Sequence, residues 1–358
     1  MISFERQHNL DGLKQMQSLP LDIKVQMTKL RIKAWYDHWD GDVYVSFSGG
    51  KDSTVLKHIV DSMYDDIPSV FINTGLEYPE VRQFALKQKN TIRIDPKMKF
   101  YEVIEKYGYP VVSKEQSQYI YECRTTKSEK LRNRRLYGDE RKMGKISNKW
   151  MYLLDAPFKI SNMCCNITKK YPVKKYEKET GRKAILGTLA CESATRTVNW
   201  LKFGCNAFTN TRPTSQPLSF WTEQDILQYI YENKLEIPSV YGEVIKTEDG
   251  FETTGLHRTG CMFCLFGIQK EEQPNRFQIM QKTHPRQYEY CLNKLGIKNV
   301  LEFMKIPYKN DSLTIEMLDN PSTINKNKDE INSVYRSVVP TVRDGQGVSG
   351  TLCKEIRS

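Results

Sequence analysis

The hydrophobic pattern of the chain switches repeatedly between two periods. Residues 43–47 (VYVSF) form a short apolar run of strand type and 48–53 (SGGKDS) a turn, while 54–64 (TVLKHIVDSMY) space apolar residues three and four apart, as a helix does. SVFIN (69–73) predicts a second strand, Val81 to Gln88 a second helix and TIRI (91–94) a third strand. This alternation predicts an α/β fold: a doubly wound, mostly parallel sheet with helices on both faces. AILGT (184–188) resumes the pattern after a long interruption. PLSFWTEQDILQYIYEN (217–233) then reads as a turn, a cap at Thr222 and a helix.

Residues 21–38 follow Pro20 and place Ile23, Met27, Leu30 and Ala34 at helical spacing, which predicts a helix packed on the main domain through that stripe. A membrane-surface helix is the less favoured alternative, because the stripe is narrow. Beyond Gly242 the chain turns polar, with a CxxC at 261–264, helical patterns near 275–305 and a polar segment at 308–332. The expected organisation is an N-terminal helical segment (1–40), an α/β domain (41–241) with an insertion at 124–183, and a helical, cysteine-containing C-terminal region and tail (242–358).

A chain of 358 residues, 39% of them aliphatic, aromatic or cysteine, can bury about 75% of its unfolded surface without disulfide support. Intrinsic disorder and the disulfide-dense miniprotein class are excluded. No apolar run approaches the ~18 to 20 residues of a bilayer span, and Glu5, Arg6 and Asp11 stand where a signal peptide needs an apolar stretch. A soluble, cytoplasmic protein with no membrane partner is expected. Its nine cysteines then stay reduced and serve as ligands or redox groups.

The 54 basic and 43 acidic side chains leave a charge of +11, unevenly placed. Residues 124–149 hold ten basic against three acidic groups, 169–183 seven against two, and 150–168 sum to zero. Essentially the whole excess lies in 124–183. Tyr137, Trp150, Tyr171 and Tyr176 are interleaved with these cations. Cations track phosphates and rings stack on bases, so the segment points to a nucleic acid, tRNA or DNA, with Arg132, Arg134 and Arg135 among the contacting charges. The alternative is a solvated basic helix that shields a neighbouring site or meets an acidic protein.

Ser48, Gly49, Gly50, Lys51, Asp52 and Ser53 lie between a buried strand and a helix. Two glycines let successive N–H groups turn toward an anion, the helix adds its positive end, and Lys51, Ser48 and Ser53 supply a charge and hydroxyl donors. A polyphosphate is the natural occupant. A Walker A loop is excluded, because Val45 and Asp52 occupy positions that motif gives to Gly and Ser or Thr. SGGKDS after an apolar strand resembles the PP-loop of the ATP pyrophosphatases, which cleave ATP between the α and β phosphates.

Asn73, Thr74, Gly75, Leu76 and Glu77 resemble the N-T-G-x-E element of the phosphoadenosine phosphosulfate reductase family within that superfamily. GTLACESATR (187–196) resembles its G-x-R-x-x-E-S-x-x-R, with Glu192, Ser193 and Arg196 in place and Leu189 where the family has its first arginine. PLSFWTEQDILQYI resembles its P-L-x-x-W-T-x-x-D segment, matching Pro217, Leu218, Trp221, Thr222 and Asp225. The resemblance covers roughly 43–265. It implies a nucleotide, ATP or an adenylyl sulfate-type one, with Mg²⁺, bound by Ser46, Ser48–Ser53, Asn73, Thr74, Gly75, Glu77, Glu192, Ser193 and Arg196. Lys51 and Asp52 would be catalytic.

Cys164 and Cys165 are adjacent, and Cys261 and Cys264 form the CxxC. Four thiolates from two clips suit a soft metal centre, zinc or iron–sulfur. Adjacent residues aim poorly at one tetrahedral ion, and the tandem Cys-Cys with a distant CxxC resembles the 4Fe-4S pattern of the iron–sulfur sulfonucleotide reductases. Zinc and no metal remain the alternatives, and Cys191, Cys205 and Cys291 are runner-up ligands or buried free thiols. The family also has a nucleophilic cysteine in an E-C-G-x-H tail. Here Cys353 lacks that Gly and His; it is either a thiolate favoured by Lys354 beside it or an inert tail cysteine.

The leading reading is an ATP pyrophosphatase with an iron–sulfur cluster that adenylates a nucleic acid for sulfur transfer, resembling the tRNA-thiolation and DNA-phosphorothioation members of the superfamily. Such an enzyme implies a sulfur donor such as a cysteine desulfurase, and the resemblance allows a homodimer. The alternatives are a sulfonucleotide reductase attacking through Cys353, and a non-catalytic nucleotide- and redox-sensing subunit of a modification or defence system.

Overall fold

The computed structural model describes residues 8–310, so Cys353 and the rest of the predicted tail lie outside the described residues. Ten strands follow the chain: β1 (Val43–Phe47), β2 (Ser69–Ile72), β3 (Thr91–Ile94), β4 (Val111–Val112), β5 (Lys183–Leu186), β6 (Asn206–Ala207), β7 (Thr214–Ser215), β8 (Val244–Thr247), β9 (Gly250–Thr253) and β10 (Leu265–Phe266). The central sheet has the order β3–β2–β1–β5–β7–β6, parallel throughout except for the β6–β7 pair. The chain winds outward from β1 through β2 to β3 and returns to β5 on the other side of β1. The carboxyl ends of β1 and β5 therefore flank the switch point, where open α/β sheets bind ligands.

Alternation along β1 decides what each face meets. Val43, Val45 and Phe47 pack with Val55, Leu56, Ile59 and Phe84 in one core, which contains the buried helix Lys51–Asp61. Tyr44 faces the other way and packs with Val70, Ala184 and Tyr176, the last on the helix Tyr171–Thr180. Burial on both faces explains why these strands read as apolar runs. It also puts Ser46 on the same face as Tyr44, toward the segment that follows Cys164 and Cys165.

The helix Leu21–His38 forms as expected, but its buried face is not the expected stripe. Ile23 and Leu30 are exposed, whereas Lys24, Thr28, Ile32 and Trp35 are buried. The polar members are buried because each has a partner. Lys24 donates to both carboxylate oxygens of Asp225, at 2.8 and 2.7 Å, and Thr28 Oγ1 accepts the Trp221 indole N–H at 2.9 Å. Trp221 is accordingly a core residue, with no exposed surface.

A second core joins the middle of the chain to its C-terminal part. Val103, Val111, Ile120, Ile160 and Cys164 pack with Met262, Phe263, Leu265, Phe277 and Ile297. The β4–β10 pairing fixes the segment after the CxxC against the chain that leads into the insertion. Among the described residues no helix is long and apolar enough to cross a membrane.

Candidate nucleotide site and cysteine centre

The chain turns sharply after β1 because Gly49 takes a φ of +75°, which costs an L side chain roughly 1–2 kcal/mol. A Cβ there would also stand 3.0 Å from the Val81 carbonyl oxygen. Gly50 is extended and caps the helix Lys51–Asp61, which starts three residues earlier than its apolar spacing predicts. Hydroxyls fasten this start. Ser53 Oγ donates to Gly50 O at 2.9 Å and accepts the Ser48 N–H at 3.3 Å, and Ser48 Oγ accepts the Gly50 N–H at 3.3 Å. The loop so held presents the positive end of a buried helix. At the end of β5, a Cβ on Gly187 would stand 2.9 Å from Asp52 O, so glycine lets that strand end lie against the loop.

Lys51 is only 5% exposed, and its Nζ lies 3.1 Å from Glu223 Oε1 and 5.5 Å from the centre of the Tyr241 ring. The Tyr241 hydroxyl shares a hydrogen bond with Thr259, and burial pushes its pKa up to about 12. Burial also raises the Asp52 carboxyl above its usual range, against the opposing pull of Lys51. Glu192 pairs with Arg196 on one side and with Arg258 Nη2, 2.7 Å away, on the other. Ser193 caps the helix Ala194–Phe203, accepting the Arg196 N–H. Ser48, Lys51, Asp52, Glu192, Glu223 and Arg258 line one cavity of about 230 Å³. Leu189 borders it but is 3% exposed and packed in the core, and Arg258, just before the CxxC, adds a cation to the same cavity.

Ser48 and Thr259 also line a second cavity of about 220 Å³, on the Tyr44 face of the sheet, with Ser46, Ile72, Glu77 and Lys169. Asn73, Thr74 and Gly75 border a third, separate cavity. The predicted nucleotide residues thus divide: the loop and Glu192 surround the first cavity, Ser46 and Glu77 the second, and the N-T-G segment the third.

Lys169 connects the second cavity to the cysteines. Burial would lower its pKa, but Cys261, to which it hydrogen-bonds, together with Glu77 and Cys165, holds it above the ordinary lysine range. It lies one turn beyond Cys165 in a π-helical stretch, Asn166–Lys170, between Met163–Cys165 and the helix Tyr171–Thr180. Burial first, then the proximity of Cys165, Cys261 and Cys264, pushes the Cys164 thiol up to about 12. Burial likewise raises Cys261 and Cys264. The fold therefore brings together all four cysteines named from the sequence. Among the described residues no three His, Cys, Asp or Glu groups converge as a single ion requires. Four mutually interacting thiols beside one ammonium, in a largely apolar core, are a donor set that fits a cluster several atoms wide. Of the other cysteines, Cys205 and Cys291 are buried, Cys205 accepting a hydrogen bond from Ser219.

The basic segment carries the helix Glu129–Tyr137, in which no residue is buried. Arg135 departs from the expectation of a contacting charge. It is 11% exposed, bonded to Glu122 at 2.6 Å and to Gly144 O, and laid over the Tyr119 ring, so it anchors the segment. Arg132 and Arg134 pair with Glu129 and Asp139, whereas Lys127, Lys130, Arg141 and Lys142 make no ion pair among the described residues.

Residues 42–265, well over half of the chain, match the phosphoadenosine phosphosulfate reductase domain. The chain belongs to that family. An adenosine 5′-phosphosulfate reductase of Anoxybacillus flavithermus is 25% identical over 228 residues, covering 62% of this chain and 77% of that protein. An uncharacterized protein of Methanocaldococcus jannaschii is 32% identical over 109 residues, covering 28% of this chain, which spans only 25% of that protein's length. Two solved structures are similar at low identity. A Candida auris phosphoadenylyl-sulfate reductase in a phosphate complex is 14% identical over 65% of this chain and 90% of its own, with a TM-score of 0.33. A Candida glabrata FMN adenylyltransferase with ATP is 12% identical over 64% of each chain, with a TM-score of 0.35.

Four residues of this family member's site were not named from the sequence: Glu223, Tyr241, Arg258 and Lys169. The run GLHRTGC (255–261) held a signal, since consecutive His, Arg and Thr leading into a CxxC place polar groups beside a cysteine centre. Lys169 was counted only as charge.

Proposed function

We propose that this protein is an ATP pyrophosphatase-type enzyme that adenylates an oxygen of a nucleic acid and exchanges it for sulfur. The observation that carries this reading is a shared wall. Ser48 and Thr259 border both the loop cavity and the adjoining cavity, whose far side is Lys169 on Cys261. A nucleotide spanning the two would place its phosphates at the loop and its sugar or base toward the cysteines.

In this reading the N–H groups of the loop and the helix end hold the β and γ phosphates, and Lys51 leaves Glu223 to take phosphate charge. A nucleic-acid oxygen attacks the α-phosphorus, the bond to the bridging oxygen breaks, and pyrophosphate leaves with that electron pair. A sulfur nucleophile, delivered by a donor protein such as a cysteine desulfurase, then displaces AMP. Mg²⁺, when bound, offsets the charge of the leaving pyrophosphate. A cluster on Cys164, Cys165, Cys261 and Cys264 supplies sulfur-handling or redox chemistry when bound. The exposed cations of 124–183 hold the polyanion near this centre.

A second reading, a sulfonucleotide reductase, is favoured by the family match and the Anoxybacillus relative. The burial of Leu189 in the core, where the reductase motif has an arginine, weighs against it. Incubating anaerobically purified protein with α-labelled ATP, with and without RNA or DNA, separates the two. AMP and pyrophosphate release stimulated by nucleic acid supports adenylation; inertness toward ATP with sulfite release from adenylyl sulfate supports the reductase.

A further inference from the structure

The third cavity, about 510 Å³, opens at the carboxyl ends of β2 and β3, and the N-T-G segment borders it away from the loop cavity. Its chemistry is distinctive. Arg82, Arg93 and Lys99 border it against a single carboxylate, Asp95. Arg93 grips Asp95 through two nitrogens, at 3.1 and 2.8 Å, so those two charges largely cancel. Arg82 donates to Asn73 Oδ1 at 2.8 Å, which orients its guanidinium on the wall and keeps its charge. Lys99 makes no ion pair among the described residues and is exposed. A net positive cavity remains.

The other walls are aromatic. Tyr101 and Tyr290 are 44% and 45% exposed, a large area for two rings on one cavity. Phe263, inside the CxxC, backs Tyr290 with ring centres 6.2 Å apart. The same chain segments separate this cavity from the nucleotide side: residues 73–76 and Phe263 face it, while Glu77 and Gly260 face the second cavity. The Met262 N–H bonds Leu76 O at 2.8 Å, tying the segments into one partition beside the cysteines.

Exposed rings and unpaired cations on one cleft suit a flat base joined to a phosphate, as single-stranded nucleic acid presents. We infer that this cavity holds one nucleotide unit of the single-stranded acceptor, its base stacked on Tyr101 or Tyr290 and its phosphate at Lys99 and Arg82. The inference rests on the adenylation reading and adds to it the place where the acceptor enters.

The test uses the full chain, purified anaerobically, with fluorescent single-stranded RNA and DNA 12-mers carrying one 4-thiouridine or 4-thiothymidine. Ultraviolet cross-links mapped by mass spectrometry should fall on peptides holding Tyr101 or Tyr290. By fluorescence anisotropy at low salt, Tyr101→Ala and Tyr290→Ala should each weaken binding at least about fivefold, the size of one lost stacking contact. Lys99→Glu should weaken it about tenfold and flatten its salt dependence. Circular dichroism and the unfolding midpoint keep a folding defect apart from a lost contact.

Cross-links confined to 127–142, with the three variants binding like the unmodified protein, would overturn the cavity assignment and leave the nucleic-acid reading standing. No binding of either 12-mer would end both. Complete displacement of the cavity cross-link by millimolar AMP, with the 12-mer still bound, would show a free nucleotide to be the occupant and overturn the inference.

Discussion

Lys51 Nζ lies 3.1 Å from Glu223 Oε1, so the lysine of the phosphate loop is neutralised by a carboxylate contributed 172 residues later in the chain. Glu223 is the first residue of the helix Glu223–Glu232. In the proposed reading Lys51 exchanges this carboxylate for a phosphate. Lys51→Ala should weaken ATP binding about 10- to 100-fold, the size of a charge-assisted hydrogen bond. Glu223→Gln should bind ATP at least as tightly as the unmodified protein, since it removes the competitor for Lys51. Isothermal titration of both variants reads this directly, and a large loss in Glu223→Gln would assign Glu223 a positive role in binding.

Two ion pairs at the N-terminal helix should behave in opposite ways. Lys24 is 2% exposed and Asp225 11%, at 2.7 Å. Replacing Lys24 with Ala strands a buried carboxylate and should cost about 3–5 kcal/mol in urea unfolding. Lys33 and Asp37 form an exposed pair at the same distance, and Lys33→Ala should leave the midpoint where it is.

Asp52 should show a trade between binding and stability. Burial gives its carboxyl a higher pKa folded than unfolded. Such a group favours the folded state most at low pH, and that contribution falls as pH rises from the ordinary carboxylate range through the raised folded value. Asp52→Asn removes the titration. It should unfold at higher denaturant than the unmodified protein at about pH 7 and lose that advantage by about pH 3. Equal midpoints at both pH values would contradict the burial argument.

The four central cysteines should hold iron. Anaerobic preparations should be brown and carry iron and acid-labile sulfide in equal amounts, and Cys164→Ser or Cys261→Ser should lose both. Cys205→Ser should keep them, because that thiol sits apart in the other core. A colourless protein with stoichiometric zinc would replace the cluster with a single ion.

What the sequence made legible were features set by neighbouring residues. The strands β1, β2, β3 and β5, the turn at Gly49 and the Thr222 cap depend on local spacing, glycine conformation and short hydrogen bonds, and they appear where the pattern put them, though the helix after the turn already begins at Lys51. The buried face of Leu21–His38 was misread because Lys24 and Thr28 count as polar until Asp225 and Trp221 arrive from about 200 residues away. Arg135 was read as a surface charge for the same reason, its partner Glu122 being folded back from the preceding helix. Glu223, Arg258 and Tyr241 join the loop only through the tertiary fold, which no local pattern encodes.

Adenylation of a nucleic acid at the 48–53 loop, as proposed, is tested by label transfer. Anaerobic protein is mixed with α-labelled ATP, Mg²⁺ and RNA or DNA while the sulfur donor is withheld, and the nucleic acid is then separated and counted. Label should appear covalently on the nucleic acid in proportion to pyrophosphate released, and neither should appear with Lys51→Ala. Unlabelled nucleic acid and intact ATP, with sulfite formed from adenylyl sulfate under the same conditions, would contradict it.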